Sequence, residues 1–229
     1  MDLKTPTSSS ILGRLVRDEY GRLIGRVVSF LIGSEGEIKS VIIEHDGTFT
    51  QYPINQIKVE DDDVIFISPL KVRAEALCNK FPLMWRRRQI LDELLREGKI
   101  TLETFKELQS DFDSALNQLR EEAKTLLNDL DKLNAEKSEW MRTLSLAAAC
   151  LQIEHEAGRI GDDTYRRAVE SIGREMDRIA IEKKRIEEIK DKISNLMLGE
   201  LEESEEHEAY VVHLKNGEVQ SLETKATQG

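Results

Sequence analysis

The sequence predicts an α+β protein: a small N-terminal β-barrel, a long antiparallel helical coiled-coil rod, and a flexible C-terminal tail carrying a β-hairpin. Three observations carry this prediction. All four prolines (Pro6, Pro53, Pro69, Pro82) lie in the first 82 of 229 residues, and the next 147 contain none, as long helices require. Six of the 13 glycines fall between Gly13 and Gly47, where a small β-structure needs its turns. From Leu116 to Leu151, leucines and other apolar residues recur in steps of three and four. Four segments follow: a disordered N-terminus (1–10), the barrel (11–70), the rod (71–198), and an acidic linker with tail (199–229).

The barrel reads as short strands at 12–17, 23–32, 38–45, 48–54 and 63–67. The turn signals Asp18-Glu19-Tyr20-Gly21, Ser34-Glu35-Gly36 and Asp46-Gly47 separate them. Asp46-Gly47 between strand-like runs predicts a hairpin. Five or six short strands in under 60 residues are too few for a large sandwich, and a closed or half-closed barrel removes exposed edges.

The rod contains a repeat with a 60-residue offset. Leu91-DELLRE-Gly98-Lys99-Ile100-TLETF105 matches Leu151-QIEHEA-Gly158-Arg159-Ile160-GDDTY165. Each is read as a helix stop and restart: Gly98 and Gly158 at the left-handed position after a helix, Thr101 and Asp162 as N-caps, Phe105 and Tyr165 one turn into the next helix. The predicted helices are 82–97, 101–157 and 162–198. The seam of the second comprises Leu116, Leu119, Ala123, Leu126, Leu130, Leu133, Lys137, Trp140, Leu144, Ala147 and Leu151. Lys137 either sets register there or snorkels to water; Trp140 is read as core. In the third helix the spacing slips between Ile179 and Ile186, which leaves Ile181 off the seam and favours self-association.

In the tail, 199–229 holds two basic and eight acidic residues. The run GELEESEEHE predicts a solvated linker. Asn216-Gly217 between VVHL and VQSL predicts a hairpin, which is marginal alone and gains from adding a strand to a partner's sheet. The candidate partner-binding residues are Tyr210, Val211, Val212, His213, Leu214, Val219 and Leu222; docking on the protein's own rod or barrel is the alternative. Tyr210, Val212 and Leu214 would share one face of the strand.

Charge and composition exclude several classes. The net charge is −11, from 33 basic and 44 acidic residues, so no overall basic field draws nucleic acid. The local exception is 71–90, where Lys71, Arg73, Lys80, Arg86, Arg87 and Arg88 face one acid, Glu75. Lys80, Trp85, Arg86, Arg87 and Arg88 form a candidate patch for an anionic surface, membrane or DNA. The competing reading packs Trp85 between barrel and rod and pairs the arginines with nearby carboxylates. The longest apolar run, 146–151, is six residues against roughly 18 for a membrane helix. MDLKTPTSSS has no signal-peptide core, and Cys78 and Cys150 are too few for a disulfide framework. A reducing, cytoplasmic setting is expected. The four histidines, at 45, 155, 207 and 213, are scattered. No catalytic constellation, metal site or cofactor is predicted, and the protein is read as a non-enzyme.

Residues 11–67 resemble the PRC-barrel family. The likeness is carried by ILGRLVRDEYGRLIGRVVSFLIG, IKSVIIEHDGTF, Tyr52-Pro53-Ile54 and DDDVIFI. Barrel, coiled coil and tail together resemble the archaeal CdvA cell-division family. That resemblance implies a scaffold that polymerises into filaments at the division site on the inner membrane face, close to the nucleoid. It also implies a tail that recruits an ESCRT-III-like protein of the CdvB type. DNA association, known for some members, would be weak here given the acidic net charge. Two alternatives stand beside this reading: a PRC-barrel adaptor of RNA or ribosomes, and a chromosome- or membrane-organising coiled-coil protein without an ESCRT partner.

Overall fold

The computed structural model describes residues 11–60 and 63–226, with side chains through Met197. Six strands come first: β1 (Leu15–Asp18), β2 (Leu23–Ile32), β3 (Ile38–His45), β4 (Thr48–Pro53), β5 (Ile57–Glu60) and β6 (Asp63–Phe66). Three helices follow: α1 (Pro69–Arg96), α2 (Leu102–Glu156) and α3 (Asp162–Ala226). The chain divides into two compact units, Met1–Ala76 with Thr125–Ile189, and Leu77–Lys124 with Lys190–Gly229.

In the first unit the strands form one sheet in the order β4-β3-β2-β1-β6-β5. The edge strands β4 and β5 are joined by only the three residues of a 3-10 turn, Ile54–Gln56. So short a connection between the two ends of a six-stranded sheet requires the sheet to curl into a barrel. Tyr52 of β4 meets Phe66 of β6 edge-on across the interior, with ring centroids 4.9 Å apart. The core is Val16, Val27, Val41, Ile43, Ile57 and Val64, inward positions of the alternating strands, together with Ile11 just before β1. Asp46-Gly47 makes the two-residue turn that sets His45 opposite Thr48. Gly25 sits at φ 148°, and a Cβ there would lie 2.3 Å from the Glu44 carbonyl oxygen. Only glycine lets β2 approach β3 this closely.

The helical part of this unit is an antiparallel pair, the later part of α2 against the start of α3. Leu126 and Leu130 are buried on α2, and Ile179, Glu182 and Ile186 on α3. The second unit buries Leu77, Phe81 and Leu91 of α1, Leu116 and Ala123 of α2, and Ile193 of α3.

Both helix corners form where the repeat places them, with the same hydrogen bonds. After α1, Gly98 (φ 69°) donates to the Leu95 carbonyl and Lys99 N to that of Leu94. After α2, Gly158 (φ 73°) donates to His155 and Arg159 N to Glu154. These paired bonds satisfy the last helical carbonyls. The restart differs between the two. Thr101 Oγ1 accepts from Thr104 N at 3.2 Å, an N-cap as expected. In the second corner Tyr165 N donates to the Gly161 carbonyl, as Phe105 N does to Thr101. Gly161, not Asp162, therefore occupies the capping position. Asp162 is already the first helical residue, and its carboxylate turns to His155 Nε2 at 2.8 Å. This contact holds the Asp162 carboxyl below its usual range.

Four further expectations are corrected. α1 begins at Pro69 rather than 82 and contains Pro82. Proline at the first helical position costs nothing, and one internal proline is tolerated where its neighbour Phe81 is anchored in the core. Trp140 is 49% exposed. Beyond Leu130 the half-buried positions that continue the seam are Leu133, Lys137, Met141, Leu144, Ala148 and Leu151. Two successive steps of four, 133 to 137 to 141, rotate Trp140 and Ala147 off the seam. The slip in α3 is not a slip either, because Glu182 fills the seam position between Ile179 and Ile186. Finally, the backbone of the acidic linker and tail through Ala226 continues α3, so neither the linker nor the Asn216-Gly217 hairpin takes its expected form. Glutamate, leucine and alanine are good helix formers, and a lone hairpin has no sheet to lean on.

Candidate functional site: a charged clamp between barrel and helices

The clamp starts from the turn between β1 and β2. Asp18 Oδ1 accepts backbone N–H bonds from Tyr20 at 2.9 Å and Arg22 at 2.7 Å, and Gly21 N closes the turn on the Asp18 carbonyl. Asp18 Oδ2 also receives Arg22 Nε at 2.8 Å. One carboxylate thereby fixes both the loop backbone and the guanidinium it presents.

Arg22 then reaches α3. Nη1 lies 3.5 Å from Glu175 Oε1, and Nη2 donates to Glu182 Oε2. The same oxygen receives Lys137 Nζ of α2 at 2.9 Å. Glu182 is 9% exposed, and these two cations offset the cost of burying its carboxylate. Tyr20 adds an aromatic face: Arg22 and Arg185 lie 5.5 and 5.9 Å from its ring centroid. Burial, then the carboxylates of Glu182 and Glu19, push the Tyr20 hydroxyl up to about 12. Glu19 pairs with Lys71 at the start of α1, and Arg73 with Asp129 of α2 at 2.8 Å. The turn Asp18–Arg22 thus contacts α1 and α3 at once and holds the barrel in one orientation on the helical pair.

Sequence reasoning noticed Lys137 but passed over Arg22 and Glu182. Arg22 looked like one turn residue among several. The signal for Glu182 was present, since it lies three residues after Ile179 and four before Ile186.

The expected anionic-surface patch divides. Arg88 is 11% exposed, with Nη1 at Asp92 and Nε 3.0 Å from Asp113 of α2, and its guanidinium lies 5.7 Å from the Phe105 ring centroid. It ties α1 to α2 at the first corner and is not part of an open surface. Trp85 is half-buried, while Lys80, Arg86 and Arg87 are exposed. Lys80 and Arg87 line a groove of about 300 Å³ floored by Leu83, Met84, Ala115 and Leu119. The side chains of Tyr210, Val211, Val212, His213, Leu214, Val219 and Leu222 lie outside the described residues; their backbone belongs to the end of α3. Among the described residues, no group of three or more His, Cys, Asp or Glu is placed to hold a metal. No described helix is long and apolar enough to cross a membrane.

The PRC-barrel domain profile matches residues 7–72, and the CdvA-like coiled-coil domain profile matches 71–213. The chain belongs to the CdvA-like coiled-coil family. It is also similar to Cell division protein A of Sulfolobus acidocaldarius, at 24% identity over 197 residues, which covers 86% of this chain and 82% of that protein. In this CdvA-like chain, the clamp joins residues matched to the PRC-barrel to residues matched to the coiled coil, Arg22 to Glu175 and Glu182 and Tyr20 to Arg185.

Proposed function

We propose that the protein is a non-enzymatic scaffold of cell division. It self-associates at the division site and recruits an ESCRT-III-like protein of the CdvB type through its C-terminal tail. The observation that carries this reading is the pairing of a PRC-barrel with a CdvA-like coiled coil in a chain similar over 86% of its length to a relative named for cell division. The clamp supports a scaffolding role, because charged contacts that orient one module on another suit an adaptor. The apolar set from Tyr210 to Leu222, beyond the acidic run, supplies the recruitment element. In this reading Lys80, Arg86 and Arg87 beside Leu83 are the contact to an anionic surface, the inner membrane face, and DNA is bound weakly.

The test is a titration of an ESCRT-III-like partner with the full chain and with Val212→Asp/Leu214→Asp. A buried apolar side chain is worth roughly 1.5–3 kcal/mol, so losing two weakens binding at least about a hundredfold. Equal affinities would remove the tail from recruitment, and no binding by the wild-type chain would overturn the ESCRT-III reading itself.

A further inference from the structure

The later half of α2 carries a second apolar seam that the helical pair leaves uncovered. The inner seam uses Lys137, Met141, Leu144, Ala148 and Leu151. On another face, Thr143, Leu146, Cys150, Ile153 and Ala157 follow one another in steps of 3, 4, 3 and 4, and all are exposed. Leu146 is 58% and Ile153 64% exposed. A stripe with heptad spacing is complementary to another helix rather than to a sheet or a small molecule.

The charges beside the stripe indicate which helix. With Thr143, Cys150 and Ala157 as a positions and Leu146 and Ile153 as d positions, the g flank reads Arg142, Ala149, Glu156. In an antiparallel pair the g flank of each helix faces the g flank of the other. Opposed to a copy of itself, this flank sets Arg142 against Glu156 twice, with Ala149 against Ala149 between them. The apolar layers fall into the same register: Thr143 opposite Ile153, Leu146 opposite Cys150, and the symmetric pair of each. The midpoint is level with residue 148, where Ala147 and Ala149 flank the stripe and their small side chains allow close approach. A parallel pair would instead set Arg142 against Ala147 and Ala149 against Glu154, with no ion pair. A surface complementary to itself is the mark of a two-fold contact.

We infer that this stripe is the contact between two copies of the chain, paired antiparallel about residue 148. This deepens the self-association proposed above and rests on it. The contact covers two heptads, so it is concentration-dependent and supplies one link of a larger assembly.

The experiment uses the full chain with Cys78→Ser, which leaves Cys150 as its cysteine. The two Cys150 residues of the pair are offset by four positions, about 6 Å along the axis. A short bismaleimide therefore links them into a covalent dimer. Adding Leu146→Cys places the new thiol opposite the partner's Cys150, and mild oxidation then yields a disulfide dimer that Cys150 alone forms poorly. In parallel, Leu146→Glu/Ile153→Glu weakens association at least tenfold by sedimentation, with helicity unchanged by circular dichroism. If that double variant assembles as the wild type does, this seam is overturned while self-association stands on another surface. Efficient disulfide formation through Cys150 alone would overturn the antiparallel register. If the wild-type chain stays monomeric and Cys150 reacts freely with maleimide at every concentration, self-association fails with it, and the stripe faces a different protein.

Discussion

Lys137 of α2 and Glu182 of α3 interrupt two apolar seams at the same level and meet there, Nζ 2.9 Å from Oε2. Each alone would place a charge in a helix–helix interface at a cost. The same Oε2 also accepts from Arg22 Nη2 of the barrel. The polar break in the coiled coil is thus the socket into which the barrel fits.

Removing the socket should cost more than removing one pin. Glu182→Ala takes the carboxylate from Lys137 and the shortest contact with α3 from Arg22, which keeps Asp18 and Glu175, and is expected to lower stability by about 1–3 kcal/mol, whereas Lys137→Met, which leaves Arg22 on Glu182, costs less. Thermal or chemical denaturation of the two single variants and the double variant measures the coupling. Independent, additive effects would contradict the shared-oxygen arrangement.

Tyr20 should make the docking sensitive to base. Its value in the fold, about 12, lies above the ordinary tyrosine value of 10.0, so the fold favours the neutral phenol. That contribution is complete below about pH 10 and is lost as pH rises towards 12. Ultraviolet titration of the wild type should show a late-ionising phenol that is missing in Tyr20→Phe. The variant should also lose the steep fall in stability between pH 10 and 12.

The corners should respond to backbone chemistry rather than to packing. Gly98→Ala and Gly158→Ala each force a left-handed residue to carry a Cβ, in space that is otherwise open. Each is expected to cost about 1–2 kcal/mol. Gly161→Ser supplies the missing capping oxygen and should gain a few tenths of a kcal/mol. Denaturant midpoints for the three variants check the order.

Gly25→Ala should be the most damaging glycine change in the barrel. The new Cβ would meet the Glu44 carbonyl at 2.3 Å and Ile43 Cγ2 at 2.7 Å. Backbone cannot yield as a side-chain tip can, so a loss of at least about 2 kcal/mol is expected. Near-ultraviolet circular dichroism of Tyr52 and Phe66, which pack on the core, reports it.

Arg88 and its neighbours should separate stability from surface binding. Arg88→Ala leaves Asp92 and Asp113 without their shared cation and should destabilise by about 1–3 kcal/mol. Arg86→Glu/Arg87→Glu should leave the melting temperature nearly unchanged while reducing sedimentation with anionic vesicles. A fall in melting temperature for that pair equal to that of Arg88→Ala would show that all three arginines are structural.

By itself the sequence missed β5 (Ile57–Glu60) but determined the other strands, the hairpin at Asp46-Gly47 and both helix corners. Each rests on local chemistry: alternation on a pleated strand, glycine where φ is positive, and a repeat read in register. It also determined the apolar identity of the inner seam up to Lys137. The tertiary structure decided what local signals cannot carry. Glu182 read as a gap in a pattern until Lys137 and Arg22, 45 and 160 residues away in sequence, supplied its partners. Trp140 left the core because two steps of four turned the helix face, and residue type alone does not report rotation. Arg88 left the basic patch because Asp113, on another helix, came within 3.0 Å. A charge belongs to a surface or to an interior only once the groups around it are placed, and that placement depends on contacts between residues far apart in the chain.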